Sequence, residues 1–270
     1  MSSFFLFFIF ILQLCHTHPF FINNKMLSLY RNLKKNVPRS YDPLDNKKLI
    51  ISTPAGLHGF YLFGVSTYIK EHYNLTNYIY SGASAGSWNS LFLSFRGNDT
   101  AFIEKALNPS VYNVSTILQI EKNMKHMILE NYNETDFDLD KIHFGVSILA
   151  FPLRLKLKIY SGFLTLEDAI NACIASSHIP FITGGPIHIY RRRISIDGGI
   201  FSYPYLKYIR PEIIINPTMW NSSLTKPGNS SIINFFQIHS TSSNVSELFE
   251  AGYNDSKANK EYLNSIFMNY

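Results

Sequence analysis

Charge is the first thing this sequence is short of. Charged residues fill 16% of its 270 positions, against about 25% in a typical soluble domain, so the surface must draw its polarity from Asn, Ser, Thr and Tyr. The net charge of +5 is scattered apart from Arg191-Arg192-Arg193. That excludes a dense nucleic-acid-binding patch and leaves only a weak attraction to anionic surfaces. Cysteine is nearly absent: Cys15 and Cys173 cannot build a disulfide framework, and neither sits in a zinc or redox spacing. No histidine pair has the H-E-x-x-H arrangement. The sequence therefore points to no metal site and no cofactor. It also lacks internal repeats, any domain linker after residue 48, and an apolar run of the roughly 20 residues that a spanning helix needs.

What is present is a hydrophobic content of 46% and an aromatic content of 15%, in a chain long enough to bury a substantial core without staples. Phe4 to Leu14, FFLFFIFILQL, has the length of a signal-peptide core. No Lys or Arg precedes it and Cys15-His16-Thr17 is the only cleavage-like site, so an uncleaved anchor is the alternative. Residues 1–22 are thus read as a signal peptide or short membrane anchor, 23–47 as a polar linker, and 48–270 as the folded domain. Secretory entry agrees with N-x-S/T glycosylation sites at Asn74, Asn98, Asn113, Asn133, Asn221, Asn229, Asn244 and Asn254. The competing reading of those sites is compositional bias.

Residues 48–53 form a short β-branched strand, 54–59 a glycine-containing turn, and 60–72 a helix by its apolar spacing. The unit repeats at once as strand 78–80, turn 81–86 and helix 87–95. Two consecutive βα units imply an α/β domain with a largely parallel sheet. Helices are expected over 99–107, 115–130, 165–177 and 245–267, the third opened by a capping box in which Thr165 faces Asp168. Strands are expected over 144–151, 153–159, 193–196 and 212–215. In 153–159, Leu153, Leu155, Leu157 and Ile159 alternate with Arg154, Lys156 and Lys158, as in a half-buried strand with a solvated basic face.

Gly82-Ala83-Ser84-Ala85-Gly86 fits G-x-S-x-G, in which small residues let a strand turn sharply into a helix and leave a serine hydroxyl exposed. Such a pattern arises by chance in roughly one chain of this length in ten. Here a strand directly precedes it and a helix follows, the context the motif requires. If the first two strands are neighbours, the backbone N–H groups of Ala55, Gly56 and Leu57 lie beside Ser84 and form an oxyanion hole, helped by the positive end of the next helix. A serine nucleophile needs a base. Asp197 is the candidate, because Gly198 and Gly199 remove bulk where a backbone or substrate must come close. An aspartate near pKa 3.9 is a poor base, so burial must raise it. Taken alone, Asp-Gly-Gly is more often a simple turn.

Five blocks in order resemble the patatin-like phospholipases: the turn at 54–59 with Gly59, GASAGSWNS at 82–90, IASSHIPFITGG at 174–185, SIDGG at 195–199, and ELFEAGYNDSKAN at 247–259. The resemblance spans residues 48 to about 260. It implies a three-layer α/β/α sandwich with a mainly parallel sheet, and a lipid acyl hydrolase that uses a serine–aspartate dyad without histidine, metal or cofactor. Ser84 would be nucleophile and Asp197 base, with membrane or lipid-droplet lipids as substrate and no nucleic-acid partner. One block departs: the family's turn has three glycines, then a Lys or Arg before the last glycine, whereas this chain carries Pro54-Ala55-Gly56-Leu57-His58-Gly59. Two alternatives stay open. One is an α/β-hydrolase esterase with the triad Ser84, Asp197 and His239, against which only one strand and one helix precede Ser84. The other is a catalytically silent lipid-binding protein with the same fold.

Overall fold

The structure, a computed structural model, describes residues 47–114, 116–150, 154–220 and 241–268. The expected signal peptide or anchor, all but the last residue of the expected linker, and His239 lie outside them. The domain opens with β1 (Lys48–Ser52), α1 (Gly59–His72), β2 (Tyr78–Ala83) and α2 (Ala85–Leu93), the two βα units of the sequence. Helices α3 (Asp99–Ala106), α4 (Pro109–Tyr112) and α5 (Ile117–Asn131) follow. Next come β3 (Ile142–Ala150), β4 (Arg154–Tyr160), α6 (Leu166–Ser176), β5 (His188–Tyr190), β6 (Arg193–Ile196) and β7 (Pro211–Ile215). Helices α7 (Thr241–Ala258) and α8 (Lys260–Phe267) complete it.

Strands β3, β2, β1 and β7 are parallel neighbours, with Ile50 opposite both Tyr80 and Ile213. β1 is buried on both faces, as a strand inside a covered parallel sheet must be. Ile50 joins Tyr78 and Tyr80 in the larger core, while Leu49 and Ile51 join Ile79, Ala83 and Tyr205 on the opposite face. Strands β4, β5 and β6 are antiparallel to their partners. The fold is α/β, with a mixed, mostly parallel seven-stranded sheet flanked by helices, consistent with the expected three-layer α/β/α sandwich.

Glycine decides where α7 sits. A Cβ on Gly64 of α1 would meet the Phe249 carbonyl, and one on Gly252 of α7 would meet the Tyr61 carbonyl. Only two bare backbones can cross this closely. The Tyr61 hydroxyl then donates to Asp255 Oδ2 at 2.7 Å and fixes the register of the two helices. The high aromatic content is spent beside them, where Phe63 meets Phe92 edge-on at 4.7 Å between centroids and Phe95 packs on Phe102, Tyr132 and Phe137.

Several local expectations are corrected. Thr165 accepts from the Asp168 N–H, but the capping box is half made, because the Asp168 carboxylate turns to the Tyr190 hydroxyl and the Arg191 guanidinium. The 245–267 region breaks at Asn259 into two helices. β5 and the single-turn α4 were not anticipated. β5 is hidden by the turn that joins it to β6, where Arg191 and Arg192 both adopt positive φ (43° and 62°), a hairpin conformation that normally asks for Asn or Gly. The alternating strand does present its basic residues to solvent and half-buries Leu155, Leu157 and Ile159. Asn74, Asn98, Asn113, Asn133 and Asn254 are exposed. Among the described residues no helix is long and apolar enough to cross a membrane.

Candidate active site

Ser84 stands between β2 and α2 with φ 53° and ψ −131°, a left-handed conformation that strains any side chain larger than glycine. The flanking glycines are dictated by space. A Cβ on Gly82 would run into the Gly86 carbonyl, and one on Gly86 into the Ser52 carbonyl of β1. Three hydrogen bonds hold the strained turn. The Ser84 N–H donates to Ser176 Oγ at 2.8 Å, and the Ser84 carbonyl accepts from the Ser87 N–H at 2.9 Å and the Ser87 hydroxyl at 2.6 Å. Ser176 in turn donates to the Gly145 carbonyl at 2.7 Å, tying the turn to β3.

Sheet register explains why Asp197 arrives at the same place. β4 occupies one edge of β3 from Phe144 to Ala150. The other edge is shared: β2 pairs there up to Gly145, and β6 pairs with Ser147 and Ile148. β2 runs parallel to β3 and β6 antiparallel, so their carboxyl ends meet head to head beside Val146. Ser84 follows Ala83 and Asp197 follows Ile196, each as the first residue past its strand. Gly198 allows the approach, since a Cβ there would strike the Gly145 carbonyl, and a Cβ on Gly199 would crowd Pro54 and Asp197 Oδ1 at 2.9 Å.

Asp197 is 5% exposed. Its N–H donates to the His178 carbonyl at 2.7 Å, its carbonyl accepts from the Ser147 hydroxyl at 2.8 Å, and Oδ1 accepts from the Gly199 N–H at 2.6 Å. Burial pushes the carboxyl up to about 6, opposed by hydrogen bonds from the Ser84 side chain and the Gly199 backbone. This is the direction a base working near neutrality needs.

The turn before α1 contains one 3-10 turn, Gly56–His58, with Gly56 at φ 52°. The first N–H groups of a helical turn have no intrahelical acceptor, so those of Gly56 and Leu57 are available as donors. Both residues line the same cavity as Ser84 and Ala85. Ala55, the third residue expected there, is 1% exposed and packs into the core behind the turn, outside the cavity lining. Gly59 closes the arrangement, because a Cβ there would lie 2.8 Å from the Ala85 Cβ. From Ser84 a cavity of about 140 Å³ runs between α1, α2 and α5, walled by Phe60, Phe63, Trp88, Phe92, Ile120 and Met124 among others.

Sequence reasoning missed Ser147, Ser176, Ser87 and Glu121. A serine pair at the end of α6 was the available signal for Ser176, yet nothing local says which backbone group it will reach. Neither His143 nor His178 serves the serine. Both are buried, burial lowers both pKa values (His178 to about 4), and His143 Nδ1 and His178 Nε2 have no hydrogen-bond partner among the described residues. Among the described residues no group of three or more His, Cys, Asp or Glu could hold a metal. No protein-family model matches this chain, and no curated protein matches it. Chemically, a strained serine, a buried carboxyl of raised pKa, free N–H donors and an apolar cavity suit acyl transfer from an ester with a hydrocarbon tail.

Proposed function

We propose that this protein is a lipid acyl hydrolase of the patatin-like type, acting through Ser84 and Asp197. Asp197 takes the serine proton as Ser84 Oγ attacks the ester carbonyl carbon. The resulting oxyanion is held by the N–H groups of Gly56 and Leu57, with the positive end of α1 behind them. Collapse breaks the bond to the alcohol, which receives the proton from Asp197, and leaves an acyl-serine. Water, deprotonated by the same carboxylate, then releases the fatty acid and restores the hydroxyl. The acyl chain lies in the apolar cavity, with membrane or lipid-droplet lipids as substrate and no cofactor. The apolar run at Phe4 to Leu14 supports entry to the secretory pathway or attachment to a membrane.

The observation that carries the reading is the meeting of two strand ends that sets a positive-φ serine against a buried aspartate at the mouth of an apolar cavity. The test is incubation of purified protein with a mixed lipid extract and identification of released products. Free fatty acids are expected from wild type and none from Ser84→Ala. Lipid binding without release by a folded wild-type protein would replace this reading with the silent lipid-binding one.

A further inference from the structure

Nearly all of the cavity lining is apolar, and most of its polar side chains have partners inside the protein, although Asn89 Oδ1 is sealed from solvent with no hydrogen-bond partner among the described residues. Asn89 Nδ2 donates to the Gly59 and Ala85 carbonyls. Thr183 Oγ1 donates to the Ser177 carbonyl and accepts from the Ile179 N–H. Ser177 Oγ donates to the Cys173 carbonyl and accepts from Trp88 Nε1. Glu121 is different. It lines the cavity from α5 between Ile117, Ile120 and Met124, is 6% exposed, and among the described residues forms no ion pair. Its one hydrogen-bonding neighbour is the Ser177 side chain, whose single proton is already directed at Cys173. Burial and the nearby Asp197 hold the Glu121 carboxyl well above the usual carboxylate range. A leucine here would suit a plain hydrocarbon chain, whereas a carboxyl loses most of its hydration for a single hydrogen-bonding neighbour.

We infer that Glu121 recognises an acyl chain bearing a hydroxyl group, so that the substrate is an ester of a hydroxylated fatty acid; this rests on the acyl-hydrolase reading and narrows it. A carboxyl accepts hydrogen bonds at two oxygens and, when protonated, donates one as well, and with one oxygen at Ser177 the other is left for the ligand. A hydroxyl satisfies it in either form. A cavity of about 140 Å³ is close to the roughly 150 Å³ that accepts a benzene molecule. It therefore takes about six to eight chain carbons, and the hydroxyl belongs on that segment. An unsubstituted chain would cover Glu121 and leave the oxygen turned from Ser177 without a partner, the situation in which polar sites discriminate strongly.

The experiment compares 4-nitrophenyl octanoate with the same ester of each monohydroxylated octanoic acid. At least one isomer is expected to exceed the plain ester in kcat/KM by about tenfold. The ratio is expected to fall to one or below in Glu121→Met and to persist in Glu121→Gln, which keeps a donor and an acceptor. Calorimetry on Ser84→Ala, with Glu121 intact, is expected to show tighter binding of that hydroxy acid than of octanoic acid, and does not depend on the Glu121 variants folding. Hydrolysis of octanoate with no isomer preferred, or a preference unchanged in folded Glu121→Met, overturns this inference alone. A folded wild type that hydrolyses no ester and whose Ser84 is not labelled by an alkyl phosphonate overturns the acyl-hydrolase reading and the inference with it.

Discussion

The sheet has two unlike halves, and each brings one residue of the proposed dyad. β1, β2, β3 and β7 run parallel, the first three deeply buried, and present Ser84 on the turn into α2. β4, β5 and β6 run antiparallel, are short or half-exposed, and present Asp197 where β6 ends. A purely parallel sheet would carry all its strand ends to one edge, with neighbouring ends side by side. Reversing one strand brings two carboxyl ends face to face on a single edge of β3. The difference between the halves is thus the geometric basis of the proposed dyad, in which the carboxylate would reach the serine directly.

The largest effect should come from removing either half's contribution. Ser84→Ala and Asp197→Asn are each expected to lower kcat/KM for ester hydrolysis by about a thousandfold or more, with unfolding curves showing both variants folded. Near-wild-type activity in folded Asp197→Asn would separate the antiparallel half from the chemistry.

Stability should move the other way. In the folded protein Asp197 holds its proton up to about 6, against an ordinary value of 3.8. Between those values the native state binds more protons than the unfolded chain, so stability falls as pH rises across that window and the full penalty is present above it. Asp197→Asn removes that penalty. The variant is expected to match wild type near pH 4 and to be more stable at pH 8 by on the order of 3 kcal/mol, read from denaturant unfolding. Activity should rise with pH through about 6 as the carboxylate forms. Glu121 and Tyr205 sense the Asp197 charge, so both are pushed further toward their protonated forms as it ionises. An activity limb that ignores this region, or an Asn variant destabilised at pH 8, would contradict the buried-base account.

The two halves were not equally legible in the sequence. The parallel half announces itself: β-branched runs, glycine turns and helical spacing repeat within 50 residues, and Gly82 and Gly86 mark the turn because backbone contacts forbid any Cβ there. In the antiparallel half β6 has four residues and β5 three, too few for periodicity to register, and Arg191 and Arg192 disguise their hairpin. Asp197 was found from the two glycines after it. The raised pKa follows from burial that only the folded sheet supplies. Glu121 reads as an ordinary polar residue of an amphipathic helix, since its meaning comes from α5 covering the cavity. Ala55 was expected beside Gly56 and Leu57, and its place in the core instead of the cavity lining depends on packing that only the folded chain supplies.

Ser176 joins the halves and tests them together. Its hydroxyl accepts from the Ser84 N–H and donates to the Gly145 carbonyl, so it acts on the serine as a positioning residue. Ser176→Ala leaves a buried N–H without a partner and is expected to cost about 1–3 kcal/mol of stability. It should lower kcat per folded molecule, with activity corrected for the folded fraction, while leaving KM within about twofold. Ser176→Thr should restore part of the loss. Equal changes in kcat and in the folded fraction would reduce Ser176 to a structural role.

The smallest effect expected is at the histidines, and it separates a dyad from a triad. In a triad, histidine takes the serine proton and the carboxylate only orients and stabilises the imidazolium, so losing the histidine costs several orders of magnitude. Here His143 lies on β3 opposite Ser81, and His178 offers Asp197 only its backbone carbonyl. Burial keeps both rings neutral at pH 7. His143→Ala, His178→Ala and His239→Ala are therefore each expected to change kcat/KM by less than about tenfold, under roughly 1.4 kcal/mol of barrier. Each variant must be compared at matched folded fraction, because truncating a buried ring opens a cavity and lowers apparent activity through stability alone. His58→Ala stands outside this set, since it follows Leu57 in the turn that would hold the oxyanion. If folded His239→Ala is as inactive as Ser84→Ala, the proton passes through an imidazole, and the head-to-head meeting of β2 and β6 would position an orienting carboxylate in place of a base.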